Sequence, residues 1–167
     1  MATVYHISLF LHILSVVIWL GGMLFLALIV VPVVRKPEYQ QFSGQLFHQT
    51  GLKFRFVGWI CLGLFLVTGI FNLYYRVRDW NSLTSKRFWN GDFGETLLTK
   101  LLIFAIILIM SAVHDFYIGP KATELWQANP DSPQAKKLRK SASWFGRLNL
   151  LLGLLVVYLA IGMVRGI

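Results

Sequence analysis

Four histidines lie in or beside the apolar runs of this 167-residue chain. Imidazole is a common protein ligand for metal ions and for haem iron. Because a bilayer disfavours ionisable side chains, a histidine within a membrane span is a candidate for a functional role. The four are His6, His12, His48 and His114. We predict that His12, His48 and His114 bind a metal or haem iron, with His6 as a further candidate. The alternative for each is a hydrogen bond within the protein or, for His48, a solvated position.

The composition of the chain is that of an integral membrane protein, so membrane-spanning elements must position these histidines. The chain is 56% hydrophobic and 14% charged, with a mean hydropathy of +0.63. Acidic and basic residues are absent from 1–34, 56–75 and 148–164, and each run is close to or above the length that spans a bilayer. A shorter apolar run, 101–114, spans only if its flanking charges enter the membrane zone.

We therefore predict an all-α fold, an integral membrane bundle of four transmembrane helices in a single domain over residues 1–167. The predicted helices cover about 4–34, 45–76, 96–118 and 142–165. Gly119-Pro120 is predicted to end the third helix, because proline cannot continue one. The stretch 129–133 reads as a polar turn.

Basic residues set the predicted orientation. The first and third loops with their helix ends carry ten lysines and arginines, against six on the opposite side. Because cytoplasmic loops are enriched in these residues, we predict a multi-pass protein of the bacterial inner membrane with both termini outside. The net charge of +9 is assigned to topology, so no nucleic-acid partner is predicted.

Helical geometry sorts the histidines by depth. His12 shares a stripe with Trp19 and with Gly22, which leaves room for a bulky neighbour, whereas His6 points about 120° away. His12 lies early in its helix and His114 late in a parallel one, so the two differ in depth by roughly 20 Å. His48 is predicted to be level with His114.

The inner pair predicts a bis-histidine haem pocket, in which Arg55 and Arg147 meet the propionates. Asp115 either orients the His114 imidazole or pairs with Arg147. An outer haem on His12 would take its second ligand from His6, from Met163 or from another protomer. Lys100 either meets a propionate there or extends to the membrane surface.

Two apolar stretches carry a resemblance to a known family. Phe54-Arg55-Phe56-Val57-Gly58-Trp59 through Asn72, and Asp92-Phe93-Gly94-Glu95 through Leu101, resemble the copper-resistance protein D (CopD) family. So does Leu138-Arg139-Lys140-Ser141, and the similarity covers about three of the four helices. The resemblance implies a membrane protein connected with copper.

The first helix, from His12-Ile13-Leu14 to Gly22, resembles the related HemJ family of haem-binding membrane proteins linked to protoporphyrinogen oxidation. Lys100 and His114 match that family's third-helix lysine and histidine. Leu150 and its neighbours replace an expected glutamate and proline, and Val113 replaces a tyrosine. The resemblance therefore implies a bound haem more than the porphyrinogen-oxidising activity.

These observations predict a b-type haem protein that transfers electrons across the membrane, a membrane haem oxidoreductase in kind. One or two haems would be held non-covalently, since no C-x-x-C-H motif is present. The electrons would pass between a quinone or a redox partner protein and an acceptor, in contact with the lipid bilayer. The alternatives are a copper transporter of the CopD type and a structural subunit of a redox complex; the many helix glycines also suit a homo-oligomer.

Overall fold

The computed structural model describes residues 2–129 and 132–165, and this part of the chain is almost entirely helical. Four helices are long and apolar enough to cross a membrane, which confirms the predicted all-α bundle of four transmembrane helices. They are the first span (Thr3–Val34), the second span (Ser43–Val77), the third span (Asp92–Ala128) and the fourth span (Pro133–Val164). Short helices, Pro37–Phe42, Trp80–Thr84 and Lys86–Trp89, lie in the first two loops.

The third span does not end at Gly119-Pro120, and this prediction was wrong. A proline ring normally clashes with the carbonyl four residues earlier and supplies no N–H. Here a π turn, His114–Ile118, comes first, and the Gly119 N–H donates to the His114 carbonyl. The wider turn gives the ring room, so the helix runs through Pro120 to Ala128.

The first span contains the same arrangement. Its π turn, Leu26–Val30, closes with a hydrogen bond from the Val31 N–H to the Leu26 carbonyl, and Pro32 follows at once. In both spans the proline is the second residue after the π turn. The two parallel helices therefore carry matching π–proline turns near the same end of the bundle, which we call the inner end because the sequence analysis predicts that it is cytoplasmic.

The fourth span begins at Pro133, about nine residues earlier than predicted. Ser132 caps it, because its Oγ accepts a hydrogen bond from the Ala135 N–H at 3.1 Å, and proline is favoured at the first helical position. The helix Gly119–Ala128 packs against the fourth span, where Arg139 lies over the Trp126 ring, and we call this helix and the start of the fourth span the inner hairpin. At the predicted polar turn, the Ser132 N–H donates to the Asn129 carbonyl; Pro130 and Asp131 lie outside the described residues.

The first and second spans form an antiparallel pair from the outer end to the level of Gly22 and Phe54. At the outer end Tyr5 stacks on Tyr75, with 4.3 Å between the ring centroids. Further in, the Phe54 ring fills the space over Gly22, which is the bulky neighbour that the sequence predicts. Small residues opposite large ones allow this close approach.

The third and fourth spans form a second antiparallel pair, in which the buried Asn149 Nδ2 donates to Ser111 Oγ at 2.9 Å. A shared core joins the pairs and consists of Trp19, Leu20, Cys61, Leu62 and Ile107. The second and third spans make few direct helix contacts and are bridged by long side chains instead.

Large apolar side chains cover the outside of the bundle. Phe10, Phe56, Leu151 and Tyr158 are each more than 60% exposed. In water such a surface would aggregate, whereas in a bilayer it contacts acyl chains at no cost. The four apolar helices thus imply contact with lipid.

Candidate functional site: two histidine clusters

The first cluster surrounds His114 at the π turn of the third span. The His114 Nδ1–H donates to Asp115 Oδ1 at 2.8 Å, and the Trp59 Nε1–H donates to the other carboxylate oxygen, Oδ2, at 3.0 Å. Arg55 Nη1 donates to the backbone carbonyl of Asp115 at 2.9 Å. We call Arg55, Trp59, His114 and Asp115 the inner cluster.

Pro120 explains why Arg55 donates to the backbone carbonyl of Asp115. In a helix the Asp115 carbonyl would accept from the N–H of residue 119 or, in a π turn, of residue 120. The Gly119 N–H is already given to His114, and Pro120 has none. The carbonyl is therefore left without a helical donor, and Arg55 from the second span supplies one.

The carboxylate also fixes the tautomer of His114. An ionised carboxylate can only accept hydrogen bonds, so the neutral imidazole must carry its proton on Nδ1 and present a lone pair on Nε2. The side chain of His114 is 34% exposed and that of Asp115 is 19% exposed. The inner cluster thus contains an accessible imidazole nitrogen in the form that binds a metal, with a carboxylate behind it.

An open groove of about 560 Å³ lies beside this cluster. Its walls are apolar and aromatic, with a single cation, and consist of Leu52, Arg55, Phe56, Trp59, Ile60 and Phe116. The Trp59 and Phe116 rings contact each other in its wall, with 5.4 Å between their centroids. The groove runs along the second span, with Phe116 as the lining residue from the third span, and it is open to the outside of the bundle.

The second cluster surrounds His12 in the outer half of the bundle. The Thr68 hydroxyl donates to the Leu64 carbonyl, so towards His12 it can only accept. His12 Nδ1 lies 2.7 Å from Thr68 Oγ1 and is therefore the donor, which again leaves the lone pair on Nε2. The imidazole packs edge-on against Phe65 and lies against Gly69.

Lys100 completes this outer region, and its charge is close enough to act on the His12 imidazole. The Ser8 hydroxyl oxygen and the Asn72 side-chain oxygen are buried here without a hydrogen-bond partner. We call Ser8, His12, Thr68, Asn72 and Lys100 the outer cluster. The structure thus brings the predicted residues His12 and Lys100 into one region.

The two clusters lie far apart in depth. His12 contacts Thr68, and Asp115 contacts Arg55, on one continuous helix. Thirteen residues separate Thr68 from Arg55, which corresponds to about 20 Å of helical rise. His12 and His114 therefore cannot bind one iron within this chain, in agreement with the sequence analysis.

His48 is not level with His114, and this prediction was wrong. Gly44 of the second span lies against Trp126, as Arg55 lies against Asp115. This antiparallel register places His48 opposite residue 122, eight residues or about 12 Å beyond His114. The sequence analysis counted depth from the predicted helix end at residue 118, whereas the third span continues for ten residues.

The other predicted residues lie outside both clusters. His6 is exposed beside Tyr5. Arg147 is exposed and lies over the Trp144 ring at 5.8 Å, and within the described residues it makes no ion pair with Asp115. Of the two roles predicted for Asp115, the structure shows the hydrogen bond to His114. The described residues include no group of three or more His, Cys, Asp or Glu side chains that could hold a metal ion.

Sequence reasoning missed three residues of the outer cluster, Ser8, Thr68 and Asn72. Each is a polar residue within an otherwise apolar run, which is the signal that could have identified them. Their position relative to one another depends on the register between the first two spans, which the sequence pattern does not fix.

Comparison with known proteins gives a family and two relatives. The domain described as "Domain of unknown function (DUF4149)" matches residues 14–131, which include the whole inner cluster. A protein of Aquifex aeolicus (strain VF5), named only as uncharacterised, is 34% identical over 157 residues, or 93% of this chain and 92% of that protein. No solved structure matches significantly.

The copper transport protein CutJ of Bacillus subtilis (strain 168) is 29% identical over 105 residues, which are 63% of this chain and 18% of CutJ. The chain thus matches less than a fifth of CutJ. The CopD and HemJ resemblances stay predictions. The match across residues 14–131 and the nearly full-length Aquifex relative establish that this chain belongs to the DUF4149 family.

Proposed function

We propose that this chain is a membrane redox protein whose inner cluster would hold a b-type haem, with His114 as a ligand to the iron. One observation carries the proposal: the His114 Nδ1–H is bound to the Asp115 carboxylate, which leaves Nε2 for the iron. Metal-binding histidines almost always donate their second nitrogen in this way. When bound, the haem supplies a one-electron carrier.

The residues around His114 fit one face of a haem. The adjacent groove has apolar and aromatic walls, and Arg55 has N–H groups beyond the one that it gives to Asp115, so it can also bind a propionate. Among the described residues no second histidine reaches this depth. The bis-histidine pocket with His48 is therefore replaced by a site with one histidine ligand from this chain.

Each residue of the inner cluster has a distinct task in this proposal. Asp115 holds the imidazole in one tautomer and orientation and increases its electron donation to a metal. Trp59 fixes the carboxylate from the neighbouring helix. Pro120 leaves the Asp115 carbonyl free to bind Arg55, and this bond holds the cation beside the groove.

The proposal also covers the redox partners, the membrane, a second haem and the assembly of the chain. Electrons would pass between a membrane quinone or a partner protein and an acceptor, in the bacterial inner membrane with both termini outside. A second haem on His12 would need a ligand other than the exposed His6. The chain could serve alone, as a homo-oligomer or as a subunit of a larger redox complex.

The test is optical. The protein is purified from cells supplied with a haem precursor, its oxidised and reduced spectra are recorded, and the haem-to-protein ratio is measured as the pyridine haemochrome. We expect a Soret band and about one haem per chain. A preparation that shows no Soret band even after added haemin would refute the proposal.

A second candidate function is copper transport, because CutJ carries that name. The geometry supports it less well. Cu(I) prefers thiolate and thioether ligands, and Cys61 is only 3% exposed and lies in the apolar core. Copper accumulation in cells that express the wild-type chain, compared with the His114→Ala variant, would favour this candidate if only the wild type accumulates copper.

A further inference from the structure

Ser8 differs from the other hydroxyl side chains of the spans. The hydroxyls of Ser15, Thr68, Thr96 and Thr99 each donate to the carbonyl four residues earlier. The Ser8 residue is 8% exposed, and its hydroxyl has no partner among the described residues. A buried hydroxyl without a partner costs free energy, and the helix offers a carbonyl that Ser8 does not use.

A second unpartnered atom lies at the same level. Tyr5 stacks on Tyr75 in the antiparallel pair. Ser8 is three residues after Tyr5, and Asn72 is three residues before Tyr75, so the two face the same depth. The Asn72 Oδ1 atom is also buried without a partner.

Aromatic rings bound this level on both sides. The Tyr5–Tyr75 stack lies towards the outer end, and the His12 ring against Phe65 lies towards the middle of the membrane. Between Tyr5 and His12 the first span rises by about 10 Å, and Ser8 is in between. The first span thus presents a small residue between two aromatic layers.

Lys100 adds a cation at this depth. It lies fifteen residues before Asp115, and the residue fifteen after Arg55 in the antiparallel second span is Ile70. Lys100 is therefore within one turn of Asn72 in height. Among the described residues its ammonium group has no ion pair.

We propose that Ser8, Asn72 and Lys100 form a binding site for the head group of a hydroquinone, a neutral aromatic ring with two hydroxyls. A hydroxyl of this ligand would donate to the Asn72 side-chain oxygen and accept from Ser8 or Lys100, which satisfies atoms that the bilayer cannot hydrate. The aromatic layers on either side suit a flat ring.

This site deepens the proposed redox function by naming an electron-rich ligand near His12, but the binding itself needs no haem. The inference concerns binding only. It is tested on protein without haem, so that a missing Soret band bears on the proposed function and a missing ligand bears on this site.

The experiment measures equilibrium binding of 2,3,5-trimethylhydroquinone, kept reduced under argon, to the chain in lipid nanodiscs, with empty nanodiscs as background. Its dimethyl ether, which has the same ring but no donor, is the control ligand. We expect saturable binding of the hydroquinone and at least about tenfold weaker binding of the ether, the size expected for one lost hydrogen bond.

Variants locate the site. Ser8→Ala and Asn72→Leu should each weaken hydroquinone binding about tenfold while leaving the ligand-free thermal midpoint unchanged or higher, because each removes an unpaired buried atom. Ser15→Ala is the matched control, since that hydroxyl already bonds within its own helix, and its affinity should equal that of the wild type.

Three binding results would overturn the inference: no saturable binding above empty nanodiscs, equal binding of the ether, or equal affinity in Ser8→Ala. A ligand-free midpoint that falls in Ser8→Ala would also overturn it, since the hydroxyl would then bond to trapped water rather than await a ligand. The comparison of the two ligands on the wild type keeps the test decisive if Asn72→Leu fails to fold.

Discussion

The inner and outer clusters treat the same side chain in different ways. Each holds one imidazole through Nδ1, so that Nε2 keeps its lone pair. His114 donates to a carboxylate on the next residue, and the neighbouring helix fixes that carboxylate. His12 donates to a neutral hydroxyl on the neighbouring helix itself.

The difference gives the two hydrogen bonds different roles. The inner bond adjusts the strength of the imidazole as a ligand, and the outer bond holds two helices together. A carboxylate partner strengthens an imidazole as a ligand, and the His114–Asp115 bond lies within one helix, so this bond itself joins no two helices. The His12–Thr68 bond joins the first and second spans directly, and a neutral acceptor increases the ligand strength less. We therefore expect loss of the inner cluster to abolish cofactor binding and loss of the outer bond to loosen the bundle.

The largest expected effect is that of His114→Ala. Because His114 is the only imidazole at its depth among the described residues, the Soret band should disappear from the purified protein. His12→Ala and His48→Ala are the matched controls and should retain it, since both side chains lie at other depths. A band lost in His48→Ala, with folding intact, would restore the pairing that the structure rejects.

Asp115→Asn should weaken haem binding by about 10–100-fold, the range found when a carboxylate behind a metal-bound histidine is removed. The side chain keeps its volume, and its amide oxygen can still accept from His114, but the charge and the second acceptor, which binds Trp59, are lost. Titration of apoprotein with haemin measures the effect, and Glu124→Gln, a carboxylate on the exposed part of the same span, is the control. Equal affinities in the two variants would show that the carboxylate does not act on the ligand.

Thr68→Val should act on stability and leave the haem signal intact. It strands a buried imidazole N–H and removes a bond between two spans, at a cost of about 1–2 kcal/mol in the free energy of unfolding. Thr68→Ser keeps the hydroxyl and should recover most of that loss. The measurement is unfolding in mixed micelles, and a lost Soret band in Thr68→Val would contradict the proposed division of roles.

The smallest effect is a coupling between Arg55 and Pro120. Arg55→Leu leaves the Asp115 carbonyl without a donor in the wild type, whereas in a Pro120→Ala background the helix can supply an N–H. A double-mutant cycle should therefore show that Arg55→Leu costs about 1 kcal/mol less in the Pro120→Ala background. Additive effects would mean that the arginine does not satisfy that carbonyl.

The sequence predicted the four spans because long uncharged runs have few other solutions in a protein of this composition. It failed at Gly119-Pro120, since the local rule that proline stops a helix does not include a preceding π turn. That single error moved the inner end of the third span by ten residues and placed His48 at the wrong depth.

Within the sites, helical spacing correctly separated His12 from His114, because the α-helix is regular from the start of each span to its histidine and the π turn begins only at His114. The partners were harder to predict. Asp115 had two candidate roles that differ only in side-chain direction, and Arg55 binds a backbone carbonyl, which no side-chain pattern reveals. The Thr68 bond depends on the register between two helices, and a shift of one residue would remove it.

The absence of a side chain at Gly44 lets the Trp126 ring of the third span pack directly against the second span. A side-chain carbon at residue 44 would overlap the Trp126 ring, and the helix is continuous from there back to His114, about 18 Å away. An added methyl group at this inner end should therefore displace the inner hairpin outwards and rotate the His114 imidazole at the π turn. Spin labels on the hairpin and the first loop would detect the displacement in Gly44→Ala, and an unchanged distance would show that the tryptophan yields instead.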